Sequence, residues 1–207
     1  MVVIISTLGL TPAIVTEMMD ELQKRGVNVR EVHVVTTKGA ELSYHVLRVH
    51  LSHTERYPER VEIKQTDVDL EDIISEKDVK TYRNRFQAAI KAVLKHTSTN
   101  DVYVNLAGGR KTMPIDAYLL ALAHGIDNIY HVVAPAIGGV QDVNKKFQGD
   151  KAKAIKRASE EGSRPSEELL KEIDEYLHPS VEVSLVRIPS PALTADQRKE
   201  LLKQVLD

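Results

Sequence analysis

Two short glycine-containing segments of this chain carry the residue types that bind phosphate groups. The first loop, residues 6–12, reads STLGLTP, and the glycine-rich loop, residues 107–113, reads AGGRKTM. Glycine lets backbone N–H groups approach a ligand closely, and Arg110 and Lys111 add two positive charges. Each loop also precedes a predicted helix, whose N-terminus favours an anion. Together the loops predict a site for phosphates that belong to a larger molecule.

The candidate ligand contacts come from these loops, from the strand ends before them and from the segment after the second predicted strand. They are Ser6, Thr7, Leu8, Gly9, Thr37, Lys38, Asn105, Gly108, Gly109, Arg110, Thr112 and Met113. The first loop has one glycine where the dinucleotide fingerprint needs three, and GGRKT lacks the spacer of a P-loop. No nicotinamide, flavin or other cofactor is therefore expected. Either loop alone is also consistent with an ordinary strand-to-helix turn.

Buried strands and helices alternate along the first 133 residues. The apolar β-branched run at 2–5 is typical of a strand covered on both faces. Pro12 suits the first position of a helix that Thr11 could cap and that ends at Gly26. Further strands are predicted at 32–35, 61–63, 101–106 and 129–133, and further helices at 40–53, 78–96 and 112–124. This pattern predicts a doubly wound, mainly parallel, Rossmann-like α/β sheet of about six strands.

The predicted sheet brings the two loops together. In an open α/β sheet, ligands bind beyond the carboxyl ends of the strands where the strand order reverses. With the usual order 3-2-1-4-5, the first and fourth strands are neighbours at that point, so the loops that leave them should face each other. This predicted meeting favours a binding site over two unrelated turns.

The remainder of the chain has a different composition. Residues 138–178 are basic and contain few large apolar side chains, which predicts a partly helical, partly mobile insertion. An edge strand over 181–188 and a helix over 193–206 complete a single domain of 207 residues. The insertion could also act as a nucleic-acid arm, although a solvated flexible segment is the simpler interpretation.

Composition excludes several functional classes. With 28 Lys and Arg against 30 Asp and Glu, the net charge is −2, so no direct DNA binding is expected. The chain has no cysteine, which removes disulfides, thiol catalysis and Cys-ligated metals. No apolar run approaches the roughly 18 residues of a membrane span, and the N-terminus lacks a signal-peptide pattern. We expect a cytoplasmic protein without a membrane partner.

The segments IISTLGLTPAIVTE and VYVNLAGGRKTMPIDAYLLAL resemble the CARF domains of CRISPR-associated proteins, and the likeness covers about residues 1–135. The resemblance implies a Rossmann-like homodimer that binds a ring of adenylates, most often four, across its two-fold axis. It also implies functional roles for the hydroxyl before the first-loop proline, which is Thr11 here, and for Lys111. Relatives often have a serine in place of Thr11.

A CARF protein of this size resembles the ring nucleases that cut the cyclic messenger and end type III CRISPR signalling. The implied reaction needs no metal: a ribose 2′-hydroxyl attacks the adjacent phosphate and leaves a 2′,3′-cyclic phosphate. Lys111 and the loop N–H groups would stabilise the developing charge, with Thr11 orienting the phosphate or the hydroxyl. The alternative is a sensor that binds the ring without cutting it and acts through a partner.

Three other patterns are weaker. Residues 48–53 match the loose R-x4–6-H pattern of HEPN ribonucleases but lie in a core helix. Residues 58–64 imitate a nuclease motif whose spacing is too short. His45, His50 and His53 could suggest a metal, but helical spacing places only the last two on one face, so solvated histidines are expected.

Overall fold

The fold is described from a computed structural model, which defines residues 1–135 and 141–206. Within these residues six strands form one sheet. They are β1 (Val2–Leu8), β2 (Val29–Thr36), β3 (Glu62–Asp67), β4 (Val102–Asn105), β5 (Asn128–Val133) and β6 (Ser184–Arg187). Their order is β3-β2-β1-β4-β5-β6, with β6 antiparallel to β5 and every other pair parallel. The predicted fold class and strand order are therefore confirmed.

Helices cover both faces of the sheet. They are α1 (Ala13–Lys24), α2 (Glu41–His53), α3 (Glu76–Val93), α4 (Thr112–Ala123), α5 (Val143–Lys146), α6 (Asp150–Glu161), α7 (Glu167–Leu177) and α8 (Ala195–Leu206). One apolar cluster joins the sheet to α1, α2, α6 and α7, and a second joins it to α3, α4 and α8. Strand β1 contributes to both, because Ile4 and Leu8 face the first cluster while Val3 and Ile5 face the second. This explains why its sequence is continuously apolar.

Several element boundaries differ from the predicted ranges, among them the end of β3 and the start of α1. Strand β3 continues to Asp67 because its polar residues pair with β2 at the sheet edge, where Thr36 lies opposite Asp67. Thr11 does not cap α1: Pro12 is the N-cap, already has helical dihedrals and accepts from Val15 N at 3.0 Å. The Thr11 side chain therefore makes no capping hydrogen bond to α1.

Helix α4 has most of its residues in or against the second apolar cluster. Ala117, Leu120 and Ala121 are fully buried, whereas Ile115 is 58% exposed at the first turn. Its 12 residues are too few to span a bilayer. In the part of the chain that the structure describes, no helix combines the length and apolar character of a membrane span.

Residues 143–177, expected from composition to be partly mobile, form three helices that pack on α1 and α2. Their few apolar side chains are spaced so that Phe147, Ile155 and Ile173 are buried in the first cluster. Residues 138–140 of the expected insertion lie outside the described residues. Because β6 follows these helices and pairs with β5, the segment is the connection between the last two strands of the sheet.

The prediction of solvated histidines on α2 is wrong for two of the three. His45 and His50 are 6% and 4% exposed, because α6 and α7 cover that face of α2. His45 Nδ1 lies 2.9 Å from Ser159 Oγ on α6. Burial lowers the pKa of His45, and it lowers the pKa of His50 to about 4.

Phe147→Ala tests whether the α5–α7 segment belongs to the cooperative core. Phe147 is 1% exposed, and its ring meets Tyr176 edge-on at 5.3 Å. Its truncation should lower the free energy of unfolding by about 3–5 kcal/mol in urea titrations, since a cavity replaces a buried ring. Lys153→Ala, at an exposed position of α6, should change it by less than about 0.5 kcal/mol. A similarly small loss for Phe147→Ala would show that the segment unfolds independently.

Candidate functional site

A crevice of about 560 Å³ lies beyond the carboxyl ends of β1, β2 and β4, where the strand order reverses. The first loop and the glycine-rich loop form two of its walls, and the segment after β2 forms the third. Eight of the sequence-predicted site residues line it: Leu8, Gly9, Thr11, Thr37, Gly108, Gly109, Arg110 and Met113. The predicted meeting of the two loops is therefore confirmed.

The loops touch through glycine backbone. A Cβ atom placed on Gly9 would lie 2.7 Å from Gly109 N and 2.8 Å from Gly109 Cα, so no side chain fits there. A Cβ on Gly108 would collide with the Thr7 carbonyl oxygen. Gly109 has φ +82°, a conformation that favours glycine, and the Met113 side chain packs directly against it.

Buried polar side chains hold this contact from below. The Gly108 N–H donates to Thr7 Oγ1 at 3.2 Å, and Thr7 Oγ1 donates to the Asn105 carbonyl at 3.4 Å. Asn105 donates from Nδ2 to the Ile14 carbonyl at 3.0 Å and accepts from the Ala107 N–H at 3.0 Å. These bonds tie the two loops and the start of α1 into one unit.

Three of the candidate contacts therefore support the loops in this structure. The side chains of Ser6, Thr7 and Asn105 are completely buried, and Ser6 Oγ donates to the Thr7 carbonyl at 2.9 Å. They do not line the crevice. Their polarity, which suggested ligand binding in the sequence, satisfies the backbone of the sharp strand ends.

Further bonds fix the first loop and the third wall. Ser43 on α2 donates to the Gly9 carbonyl at 2.6 Å, and the Val143 N–H donates to the Leu10 carbonyl at 2.9 Å. Asn144 donates from Nδ2 to the Gly39 carbonyl at 3.3 Å. Helices α2 and α5 thus hold the rim of the crevice.

Two cations at the crevice are neutralised by acids of the 67–72 segment. Arg110 Nε donates to Asp72 Oδ1 at 2.9 Å, and a second bond joins Nη2 to Oδ2. These bonds hold the pKa of the Asp72 carboxyl below its usual range. Lys38 pairs with Asp69 at 2.6 Å. Anion binding by Arg110 or Lys38 must therefore compete with a carboxylate.

Lys111 and Thr112 are exposed at the N-terminus of α4, beside the crevice and outside its lining. In the stretches 1–135 and 141–206, Lys111 has no ion-pair partner. Its ammonium group and the helix N-terminus both favour an anion at this position. Lys111 is therefore the cation beside the glycine-rich loop that no acid competes for within those stretches.

Four polar residues of this site were not predicted from the sequence: Ser43, Glu71, Asp72 and Asn144. Glu71 and Asp72 follow β3, whose carboxyl end reaches the same edge of the sheet as those of β1, β2 and β4. The predicted strand order therefore indicated that Glu71 and Asp72 lie near the site. No sequence pattern indicated Ser43 and Asn144, because their contacts depend on how helices α2 and α5 pack.

The chemistry available in the crevice is binding and positioning. Backbone N–H groups, the Arg110 guanidinium and the nearby Lys111 ammonium offer hydrogen bonds and positive charge to phosphates. Among the described residues, no histidine lines the crevice. The Asp72 carboxylate, with its lowered pKa, is a weak proton acceptor.

Two sequence comparisons match this chain to CRISPR-associated proteins. The family model described as CRISPR-associated protein NE0113 matches residues 11–206. The protein described as CRISPR system ring nuclease SSO2081, from Saccharolobus solfataricus, is 35% identical over 137 residues, which are 64% of this chain and 72% of that protein.

A solved structure resembles the whole chain. It is Csm6 of Enterococcus italicus bound to cyclic hexa-2′-fluoro-hexa-dAMP, with a TM-score of 0.52 and 14% identity. The match covers 99% of this chain and 45% of the Csm6 chain, so this chain spans less than half the length of that protein. At that identity the likeness concerns the fold, and it confirms the predicted CARF-like α/β architecture.

Gly9→Ala tests the contact between the loops. The added methyl group must push Gly109 away, which should lower the free energy of unfolding by about 1–3 kcal/mol. Leu10→Ala, in the same loop at a 40% exposed position, should cost less than about 0.5 kcal/mol. Urea titration of both variants makes the comparison; equal stability of Gly9→Ala and the parent would contradict the packed geometry.

Proposed function

The chain belongs to the CRISPR-associated NE0113 family, and on that premise we propose that it binds a cyclic oligoadenylate at the crevice and cleaves it. The observation that carries the proposal is the contact between the first loop and the glycine-rich loop at the switch point of the sheet. The relative named as a ring nuclease supports the reaction. Such cleavage would end type III CRISPR signalling.

The ligand is a ring of adenylates, with cyclic tetraadenylate as the first candidate. A crevice of about 560 Å³ suits a ligand of ordinary drug size, and four nucleotides exceed it. A second copy of the chain would therefore complete the site, with the ring across the two-fold axis. In this arrangement each subunit binds half of the ring.

The proposed reaction uses the substrate's own nucleophile. A ribose 2′-hydroxyl loses its proton to solvent as its oxygen attacks the adjacent phosphorus, the P–O5′ bond breaks, and the leaving 5′-oxygen takes a proton from solvent. The products carry a 2′,3′-cyclic phosphate and a 5′-hydroxyl. Holding the 2′-oxygen in line with the leaving 5′-oxygen supplies much of the acceleration, and no metal is required.

The roles of the residues follow from their positions. Lys111 and the N–H group of Gly109 stabilise charge on the phosphorane oxygens, whereas the Gly108 N–H already donates to Thr7 Oγ1. Thr11, which lines the crevice and does not cap α1, orients the phosphate or the 2′-hydroxyl. The buried Thr7 and Asn105 act as positioning residues for both loops.

The remaining candidate contacts form the rim. Thr37 and Lys38 lie on the β2 side, while Thr112 begins α4 on the opposite side of the glycine-rich loop. Leu8 and Met113 adjoin the crevice, but at 0% and 2% exposure their side chains pack in the apolar clusters and support the loops. Because no histidine lines the described crevice, we expect slow turnover that depends on positioning.

The direct test incubates the purified protein with cyclic tetraadenylate and cyclic hexaadenylate in buffer that contains EDTA. Chromatography with mass spectrometry should show linear products that end in a 2′,3′-cyclic phosphate. Tight binding of an intact ring would instead show a sensor that acts through a partner. Absence of both binding and cleavage would contradict the proposed function.

Lys111→Ala should slow cleavage by about ten-fold or more, because a charge that stabilises the transition state is removed. The fold should be retained, since the side chain is exposed. Initial rates of ring cleavage measure the effect, with Lys153→Ala as an exposed-lysine control that keeps the parent rate. An unchanged rate in Lys111→Ala would exclude Lys111 from the mechanism.

Asp72→Asn should tighten ring binding by about two- to five-fold, because it releases the Arg110 guanidinium from a competing carboxylate. Isothermal titration at two salt concentrations measures the change, which should shrink as salt rises. Asp150→Asn, an exposed acid on α6, is the matched control. Weaker binding in Asp72→Asn would show that the ion pair orients Arg110 for the ligand.

A further inference from the structure

Three side chains that the proposed function does not use lie close together at a place away from the crevice. His50 comes from α2, Asp174 from α7, and His178 directly follows α7. One possible ligand atom from each residue lies within 4.8 Å of the other two. Asp20, which also contacts this group, lies about 10 Å along α1 from the end of the helix at the crevice.

The hydrogen bonds assign the protons of the two imidazole rings. His178 Nδ1 lies 2.7 Å from Asp20 Oδ2, and an ionised carboxylate only accepts, so Nδ1 carries the proton. The His178 Nε2 lone pair therefore points away from Asp20. It faces His50 Nε2 at 3.0 Å. The proton between the two Nε2 atoms therefore belongs to His50. Both Nε2 atoms are of the kind that binds metal ions.

The surrounding residues orient the three side chains as an outer shell does in a metal site. Asp20, itself hydrogen-bonded by the Tyr57 hydroxyl at 3.1 Å, fixes the ring of His178. Arg56 holds the Asp174 carboxylate through two bonds of 2.8 and 2.7 Å. His50 is 4% exposed, whereas the Asp174 side chain is 34% exposed and can adjust towards an ion.

We propose that His50, His178 and Asp174 bind one divalent cation of the zinc class. Two imidazole nitrogens and a carboxylate oxygen are a donor set that zinc accepts, with water in a remaining position. Ligand atoms around tetrahedral zinc lie about 3.3 Å apart, close to the 3.0 Å between the two Nε2 atoms.

Entry of the ion requires one proton to move. The His50 proton leaves Nε2 and occupies Nδ1, which lies 3.9 Å from Asp174 Oδ1, so the ring stays neutral and no bond between heavy atoms breaks. Solvent reaches the group through a crevice of about 730 Å³ lined by Asp20, Arg56 and His178. The ion has a path to its ligands.

Binding of the ion would raise the stability of the folded chain. It would join α2 to the end of α7, and Thr16 on α1 already donates to the Leu177 carbonyl at 2.6 Å. Of these helices, α2 also supports the first loop, because Ser43 donates to the Gly9 carbonyl. The site is separate from the crevice, so ring cleavage does not require the ion.

The experiment titrates Zn²⁺ into the full chain after dialysis against EDTA, at pH 7. Calorimetry should show about one ion per chain, and Tm should rise by about 5–10 °C when Zn²⁺ exceeds its Kd 100-fold. His178→Gln and Asp174→Asn should each weaken binding by at least about ten-fold. The partly exposed Asp174 keeps the test usable if the buried His178→Gln fails to fold.

His53→Gln is the matched control, because His53 lies one turn after His50 on α2 and its Nδ1 bonds to the Val49 carbonyl. It should bind Zn²⁺ like the parent. Absence of saturable binding, or equal binding in Asp174→Asn and the parent, would overturn the metal site. Ring cleavage measured with EDTA is a separate readout, so the two proposals can fail independently.

Discussion

The crevice exists because two strand-to-helix loops meet through bare backbone. Gly9 and Gly109 are so close that a single added carbon atom would separate them, and this contact sets the distance between the N-termini of α1 and α4. Thr7 and Asn105 satisfy the backbone groups that such a sharp approach leaves unpaired. The loops are therefore preorganised, which would lower the entropic cost of binding the proposed oligoadenylate ring.

The electrostatics of the crevice are more balanced than its basic residues suggest. Arg110 is occupied by Asp72 and Lys38 by Asp69, so the acids that follow β3 offset the cations of the neighbouring loops. A phosphate can exchange with a carboxylate at Arg110 because both accept a bidentate guanidinium. This exchange would favour ligands with several phosphates over isolated anions.

The α5–α7 layer connects the two ends of the molecule. Near the crevice, Val143 and Asn144 bond to the first loop and to the third wall, while at the far end Asp174 and His178 approach His50 and Asp20. Between these ends, Ile155 and Ile173 are fully buried against the core. What the composition indicated to be an accessory segment is thus a structural support for the proposed site.

The sequence by itself determined the strand order, the two loops and their meeting, since apolar periodicity and glycine positions are local signals and parallel topology then leaves few arrangements. Only the tertiary structure decided that Ser6, Thr7 and Asn105 face inward, that Asp72 engages Arg110, and that α6 and α7 bury His45 and His50. Apart from the Ser6 hydroxyl, which bonds to the neighbouring Thr7 carbonyl, these outcomes depend on partners far away in the chain. Residue type reveals that a polar group needs a partner; only packing selects which one it finds.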